Sequence, residues 1–387
     1  MRRVAIIGVG ITKFGEHWDK GLRDLTLEAG IKALKDAGIR GEKIDAGYVG
    51  NMAGGSFAGQ EHIGALLADQ MGLNPIPMTR VEAACASGGV ALRQGYLAVA
   101  SGVHDIVVVG GVEKMTDLNT NQVTQILGGA GDQEWELFAG GTFPGLYALM
   151  MRRYMYEFKA TEEDFAWVAV KNHKHATKVP YAQFPREITI ETVMNSKYIA
   201  KPIKIFDSSP ITDGAAAVVL APMDIAESYT KKPVEIVASA QASDTLALHD
   251  RESLTEIKAA RIAGEKAYKQ AGITPNHIQV AEVHDCFTIA EVLAIEALGF
   301  FPKGEGYKAA KEGWTTHGGK VVINTSGGLK AAGHPVGATG VKQAVEITLQ
   351  LRGDAGERQV KDAEYGLTHN VGGSGATAVV HIMKRAF

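Results

Sequence analysis

The sequence contains one stretch twice, and this repeat limits the fold more than any other feature. Residues 29–50 and 263–284 align without a gap at a constant offset of 234, and ten of the 22 aligned positions are identical. Each copy has the pattern of a helix with an Ala/Gly-rich packing face that stops at Ala-Gly, followed by a short loop and a buried strand. The chain therefore consists of two similar α/β halves that we expect to pack against each other.

Residues from about 114 to 205 interrupt the first half. They are aromatic, methionine-rich and loop-prone, and Thr161 to Asp164 has the pattern of a capping box at a helix start. The predicted organisation is an N-terminal half of residues 1–113 and 206–230, an inserted loop domain of residues 114–205 and a C-terminal half of residues 231–387.

Cys85 is one of two cysteines in 387 residues, and it lies among small residues at the start of a predicted helix over residues 90–100. The free amide donors and the positive dipole end of a helix N-terminus favour a thiolate, which makes Cys85 a candidate nucleophile. The alternative is a buried cysteine that packs as a small hydrophobe.

Three other segments carry chemically useful groups. The turn His284–Cys286 follows an apolar run at the carboxyl end of a strand, where sites in sheet proteins gather. His334 lies in a Gly-His-Pro turn before another helix, where glycine permits close approach and proline fixes the chain. The glycine cluster around Gly372 follows a strand and can offer backbone amides to a developing oxyanion.

The duplication predicts how these segments meet. If a pseudo-twofold axis relates the halves, Cys85 and His334 lie at equivalent helix starts and can face each other although 249 residues separate them. The turns at His284 and Gly372 end neighbouring strands and would reach the same place. The sequence thus predicts one pocket with a cysteine nucleophile and a histidine base.

Composition and spacing exclude several classes of function. A formal net charge of −3 offers no basic field for nucleic acid or an anionic membrane, and no stretch approaches the roughly 18 apolar residues of a membrane span. Two separated cysteines suit a reducing compartment, so a cytoplasmic location is expected.

Metal and dinucleotide sites are also excluded by spacing. The two cysteines lack zinc-type pairing, and His173 and His175 are two residues apart and are interpreted as surface residues, so no metal is predicted. Gly8 and Gly10 follow a strand, but Lys13 stands where the third glycine of a dinucleotide motif belongs, and we reject that motif.

The segments at Cys85, His284, His334 and Gly372, taken in this order, resemble the thiolase family, and specifically its sterol-carrier-protein-type branch with the archaeal relatives. The resemblance covers essentially the whole chain. It implies a duplicated, five-layered α/β thiolase fold with an inserted loop domain. It also implies coenzyme A thioesters as substrates, no prosthetic group, and either Claisen condensation of two acetyl-CoA to acetoacetyl-CoA and CoA or the reverse thiolysis.

The resemblance also implies roles for the site residues. Cys85 is the nucleophile that becomes acylated, and His334 accepts its proton. His284 and His334 bind a thioester oxygen in one oxyanion hole, and backbone amides of Cys85 and Gly372 form the other.

Many thiolases carry a second catalytic cysteine where this chain has Asn370. Cys286 is the remaining thiol, and we infer that it supplies the missing acid/base. No short motif locates the contacts to the coenzyme A nucleotide, so those residues are unknown.

The resemblance further implies partners. A homodimer or a dimer of dimers is expected, and archaeal relatives point to a complex with hydroxymethylglutaryl-CoA synthase through a small acyl-CoA-binding scaffold protein, in the mevalonate pathway. Two alternatives stay open: a degradative 3-ketoacyl-CoA thiolase of broader chain length, and a non-catalytic acyl-CoA-binding or scaffold member. The Gly-His-Pro and His-Asp-Cys-Phe turns argue against a beta-ketoacyl synthase or a hydroxymethylglutaryl-CoA synthase relative.

Overall fold

The structure is a computed structural model that describes residues 1–41 and 43–387. The N-terminal half begins with β1 (Val4–Ile11), α1 (Leu22–Asp36), β2 (Ala46–Gly50), α2 (Gly54–Ala58), α3 (Ile63–Gln70), β3 (Met78–Val81), α4 (Ser87–Ser101) and β4 (Val107–Glu113). Next come α5 (Thr120–Gly128), α6 (Phe143–Phe158), α7 (Glu162–Ala176), α8 (Ile190–Met194), β5 (Tyr198–Ala200) and β6 (Ile203–Lys204), and the half closes with β7 (Gly214–Pro222) and α9 (Met223–Ala226). The C-terminal half contains β8 (Val234–Ser243), α10 (Lys258–Ala271), β9 (Val280–Glu282), α11 (Thr288–Ala297), β10 (Val322–Ile323), α12 (Gly328–Ala332), α13 (Thr339–Arg352), β11 (Tyr365–Gly372) and β12 (Thr377–Arg385). None of the helices in these two ranges is long and apolar enough to span a lipid bilayer.

The two halves have the same sheet topology. Ten strands form one mixed sheet in the order β10-β9-β11-β12-β8-β1-β7-β4-β2-β3, and β5 pairs with β6 separately. Outward from the junction of β1 with β8, each half pairs its strands antiparallel, antiparallel, parallel and parallel. The sequence repeat falls on α1 with β2 and on α10 with β9, so the predicted duplication is confirmed.

Helices α4 and α13 form the middle of five layers. Both contact strands of both halves, whereas α1 packs outside β1 and β7 and α10 packs outside β8 and β12. Because the inner helices begin with the segments of Cys85 and His334, this layer determines where the two residues meet.

The first turns of α4 and α13 touch through their backbones. A Cβ placed on Gly340 would lie 2.1 Å from the backbone nitrogen of Gly89, and one on Gly88 would lie 2.6 Å from the carbonyl oxygen of Gly337. Real Cβ atoms do not approach other atoms so closely. The two helix starts therefore meet only because side chains are absent there.

The Gly-x-Gly of the first strand has a packing role. A Cβ on Gly8 would lie 2.3 Å from the carbonyl oxygen of Ala33, and one on Gly10 would lie 2.1 Å from that of Ala29. These glycines let α1 lie directly on β1, which explains the motif without a dinucleotide.

The segment between β4 and β7 is attached to the C-terminal half by buried polar contacts from α7. Lys171 pairs with Glu291, and Asn172 Nδ2 donates to Asp285 Oδ2 at 2.7 Å. The bounds of the predicted inserted domain, 114–205, stay a prediction.

The prediction that His173 and His175 lie on the surface is wrong. His173 is 1% and His175 is 7% exposed, with Nδ1 atoms 3.1 Å from Arg186 O and 3.0 Å from Asn324 O. Helix α7 packs against α8 on one side and against α11 and α12 on another, so side chains that point in different directions are still buried.

We predict that Gly340→Ala destabilises the protein by about 1–3 kcal/mol, since the added methyl group has no room beside Gly89 and Asn370 Oδ1. The matched control is Gly110→Ala in β4, where the nearest atom to the added Cβ, Ala216 O, is 3.8 Å away. Urea unfolding of both variants measures the difference. Equal midpoints would contradict the close helix contact.

Candidate active site

Cys85 lies in a tight turn between β3 and α4. The preceding Ala84 has a φ of 51°, a left-handed conformation that is costly for a residue with a side chain. The Ser87 hydroxyl donates to Ala84 O at 2.6 Å and accepts from the Ala83 N–H at 2.9 Å. These bonds hold the turn that places Cys85 in the wall of a cavity.

The thiol of Cys85 is protonated in the free protein. Burial raises its pKa to about 12; the backbone amide of Gly373 opposes this shift, the carboxylate of Glu113 adds to it, and the amide of Cys85 itself opposes it. This shift opposes the predicted preference for a thiolate at the helix start, because removal from water outweighs the amide donors, although Cys85 is only half-buried. Attack on a substrate therefore requires a proton acceptor.

His334 lies between α12 and α13 and is a neutral base. Its backbone N–H donates to Thr212 Oγ1 at 3.0 Å, and its ring Nδ1 lies 2.7 Å from Thr339 Oγ1. Burial, and to a smaller extent the charge of Lys342, lowers the pKa of the imidazole to about 3. The ring is thus uncharged at neutral pH and can accept a proton.

His284 follows β9 and faces His334. The two rings are 5.0 Å apart and nearly perpendicular, at 84°. One ring nitrogen of each histidine and Cys85 Sγ all lie within 4.8 Å of one another. Burial, followed by the neighbouring His334, keeps the pKa of His284 well below its usual range. The structure thus brings together three residues that the sequence placed in one pocket.

The same three atoms form the one group of possible metal ligands in the part of the chain that the structure describes. Whether they can bind a metal depends on which ring nitrogen of His284 carries the proton.

Cys286 lines the same cavity as Cys85. Burial raises the pKa of its thiol above the usual range, while the nearby Tyr147 hydroxyl opposes the shift. Tyr147, on α6, donates to Gly373 O at 3.1 Å, and its ring lies 4.7 Å from that of Phe287. Sequence analysis missed Tyr147, for which the aromatic content of the inserted segment is the only signal.

The glycine loop after β11 presents Gly373 to the cavity. Gly372 is the last residue of the strand and pairs with Thr377, and the chain turns at Gly373, where φ is 61°. The amide of Gly373 faces the Cys85 thiol. The geometry therefore favours Gly373 over the predicted Gly372 as the backbone donor.

Asn370 joins the loops of the two halves. Its Nδ2 donates to Cys85 O at 3.0 Å and lies 3.0 Å from Nδ1 of His284, while its Oδ1 accepts from the Gly89 N–H at 3.1 Å. In the sequence the residue was visible only as a departure from the thiolase pattern.

Glu113, at the end of β4, was missed because no motif surrounds it. Its fully buried carboxylate accepts from the backbone N–H groups of Met52 at 2.8 Å, Ala53 at 3.2 Å and Gly337 at 3.0 Å. Burial raises its pKa to about 7, although these hydrogen bonds oppose the shift. Glu113 thereby ties the His334 loop to the N-terminal half.

The cavity has a volume of about 200 Å³. Both thiols, His334 and Gly373 lie in its wall. The rest of the lining is mostly apolar and includes Met115, Val123, Leu127, Phe143, Ile211, Phe287 and Val336. The site thus combines a nucleophile, a neutral base, oxyanion donors and a second thiol beside an apolar chamber, which suits acyl transfer.

Comparisons with known proteins agree with this chemistry. Residues 4–224 match the family described as thiolase, N-terminal domain, and residues 240–385 match thiolase C-terminal domain-like. The chain is 57% identical over 385 residues to an acetyl-CoA acetyltransferase of Methanothermobacter thermautotrophicus, with 100% of both proteins covered. It is 37% identical over 406 residues to human sterol carrier protein 2, with 100% of this chain and 73% of that protein covered.

A solved structure extends the comparison to the fold. The Ltp2-ChsH2(DUF35) aldolase matches with a TM-score of 0.86 and 27% identity, over 99% of this chain and 98% of that chain. The predicted fold class is confirmed. From both domain matches and the full-length relatives it follows that the chain belongs to the thiolase family.

Proposed function

We propose that this chain is an acetyl-CoA C-acetyltransferase that condenses two acetyl-CoA to acetoacetyl-CoA and CoA, and catalyses the reverse thiolysis, through an acyl-Cys85 intermediate. The observation that carries the proposal is the approach of Cys85 Sγ to ring nitrogens of His284 and His334, all within 4.8 Å. A non-catalytic acyl-CoA-binding member would need neither the thiol nor the base.

In the first half-reaction, neutral His334 takes the proton of Cys85, and the thiolate attacks the carbonyl carbon of acetyl-CoA. The backbone amides of Cys85 and Gly373 stabilise the oxyanion. The carbon–sulfur bond to CoA breaks, and Cys286 gives its proton to the departing CoA thiolate. Cys85 is then acetylated, His334 is protonated and Cys286 is a thiolate.

In the second half-reaction, the Cys286 thiolate removes an α-proton from a second acetyl-CoA. The raised pKa of Cys286 makes its thiolate a strong base. His284 and protonated His334 donate to the thioester oxygen of the enolate. The carbanion attacks the acetyl group on Cys85, and the released Cys85 thiolate recovers its proton from His334, which restores the starting state.

A degradative 3-ketoacyl-CoA thiolase of broader chain length is the second candidate. It is favoured by the apolar walls around Leu127, Phe143 and Ile211, which extend the cavity beyond the thiols. The same walls equally suit the pantetheine arm of coenzyme A.

We also propose that the protein acts in the cytoplasm as a homodimer or a dimer of dimers. The condensation of two acetyl-CoA is thermodynamically unfavourable. A complex with hydroxymethylglutaryl-CoA synthase and a small acyl-CoA-binding scaffold, early in the mevalonate pathway, would consume the product and favour condensation. The likeness to an aldolase whose name, Ltp2-ChsH2(DUF35), has two components supports a scaffold partner.

The proposed substrate is tested by thiolysis of acetoacetyl-CoA against 3-ketoacyl-CoAs of increasing length. We expect the highest kcat/KM with acetoacetyl-CoA, together with an acetyl group on Cys85 after incubation with labelled acetyl-CoA. A maximum at longer chains would favour the degradative alternative, and no labelling of Cys85 would favour the non-catalytic one.

Cys286→Ser separates the two half-reactions. We expect exchange of the acetyl-CoA methyl protons with deuterated water to fall roughly 10²–10⁴-fold, because a serine hydroxyl is too weak an acid to share a proton at neutral pH. Acetylation of Cys85 should persist at a reduced rate, because CoA can leave as a thiolate without the proton of Cys286. Cys85→Ser is the matched control and should lose acetylation. Unchanged exchange in Cys286→Ser would show that another group is the base.

The pH dependence of Cys85 alkylation tests its protonation. Because its raised pKa is about 12, the iodoacetamide rate in the substrate-free protein should rise with pH throughout the accessible alkaline range, without a plateau near pH 7.

His334→Ala should slow acetylation of Cys85 roughly 10²–10⁴-fold. A plateau near neutrality, or normal acetylation in the variant, would contradict these assignments.

A further inference from the structure

The side-chain amide of Asn370 can have only one orientation. The N–H of Gly89 can only donate and the carbonyl oxygen of Cys85 can only accept, and they contact opposite atoms of the amide, at 3.1 Å and 3.0 Å. A reversed amide would place two donors at Gly89 and two acceptors at Cys85. Because the residue is 1% exposed, water could not relieve either conflict.

The tautomer of His284 follows from this orientation. Nδ2 of Asn370 is a donor and lies 3.0 Å from Nδ1 of His284, so Nδ1 accepts and the proton of the neutral ring is on Nε2. Within the described part of the chain, this Nε2 is buried without a hydrogen-bond partner. The ring, which lies 5.0 Å from that of His334, therefore carries an unpaired N–H.

His334 has the opposite arrangement. The Thr339 hydroxyl donates to Pro335 O at 3.1 Å, so its oxygen is free to accept from Nδ1 of His334 at 2.7 Å. The proton of the neutral His334 ring is then on Nδ1. Its Nε2 carries a lone pair, as a base for Cys85 must.

We propose that Asn370 is a positioning residue that locks His284 as the Nε2–H tautomer, a permanent hydrogen-bond donor to the substrate thioester oxygen. The substrate part rests on the proposed function, whereas the tautomer does not. The position at which many thiolases carry a second cysteine thus serves the neighbouring imidazole in this chain. Nε2 carries the proton and the lone pair of Nδ1 accepts from Asn370, so neither ring nitrogen of His284 is free to ligate a metal.

The first test is NMR of the whole protein with ¹⁵N-labelled histidines. Correlations between ring nitrogens and carbon-bound ring protons distinguish the two neutral tautomers, and loss of one set of signals in His284→Gln assigns His284. We expect a protonated Nε2 and an unprotonated Nδ1. A proton on Nδ1 would overturn the proposal.

The second test is Asn370→Asp, which replaces the donor by an acceptor. At low pH the new carboxylate pairs with a His284 imidazolium, which still has an N–H at Nε2. When the pH rises through the pKa of His284, the remaining proton stays on Nδ1 beside the carboxylate and the donor is lost. We expect α-proton exchange of acetyl-CoA to fall about 10²–10³-fold across this titration, the cost of one oxyanion donor.

The control is the same change in a His284→Asn background, because an asparagine amide donates without a tautomer. The groups that face His284, namely His334, His369, Lys342 and Cys85, are unchanged in both proteins. The pH-dependent fall should disappear in the double variant. A fall that is independent of pH, or one that persists in the double variant, would mean that Asn370 only supports the fold.

Acetylation of Cys85 separates this proposal from the proposed function. Asn370 also holds Cys85 O and the Gly89 N–H, so acetylation is measured in the unchanged protein. If the unchanged protein fails to acetylate Cys85, the proposed function fails while the NMR result still decides the tautomer.

Discussion

The active site depends on the backbone contact between the first turns of α4 and α13. Gly340 and Gly89 allow the contact, and it sets the distance between two loops that come from different halves of a duplicated chain. Two buried side chains fasten it: Glu113 binds Gly337 beside the His334 loop, and Asn370 binds Gly89 beside the Cys85 loop. Each half supplies only some of the catalytic groups, so these groups reach their working geometry only when the two halves pack together.

Burial shifts the pKa values of the two thiols and the two imidazoles so that the uncharged form of each is favoured. It raises the pKa values of Cys85 and Cys286 and lowers those of His284 and His334, so all four groups are uncharged before substrate binds. What distinguishes the imidazoles is the partner of Nδ1. The Asn370 amide makes His284 a hydrogen-bond donor, and the Thr339 hydroxyl makes His334 a base. The two rings thus have opposite roles although they lie only 5.0 Å apart.

The duplication, the fold class and the meeting of Cys85 with His334 could be predicted because they follow from a repeat and from short motifs. The protonation of Cys85 could not, since it depends on how completely the inserted segment and the second half enclose the thiol. Burial of His175 depends on α7 being packed on several sides. The end of β11 determines that the turn presents Gly373, rather than Gly372, to the cavity. The tautomer of His284 could not be predicted either, because it follows from the distance between Asn370 Nδ2 and His284 Nδ1, which no spacing in the sequence encodes.

The contact between two helix starts also has an electrostatic consequence. Each N-terminus carries roughly half a positive elementary charge, and like charges held this close repel each other. The repulsion is relieved when a negative charge forms between them, as on the Cys85 thiolate or an enolate oxygen. An uncharged thioester relieves nothing. The Glu113 carboxylate, which accepts from the Gly337 N–H, offsets part of this repulsion. The remaining positive ends favour the charged transition states over the uncharged substrates.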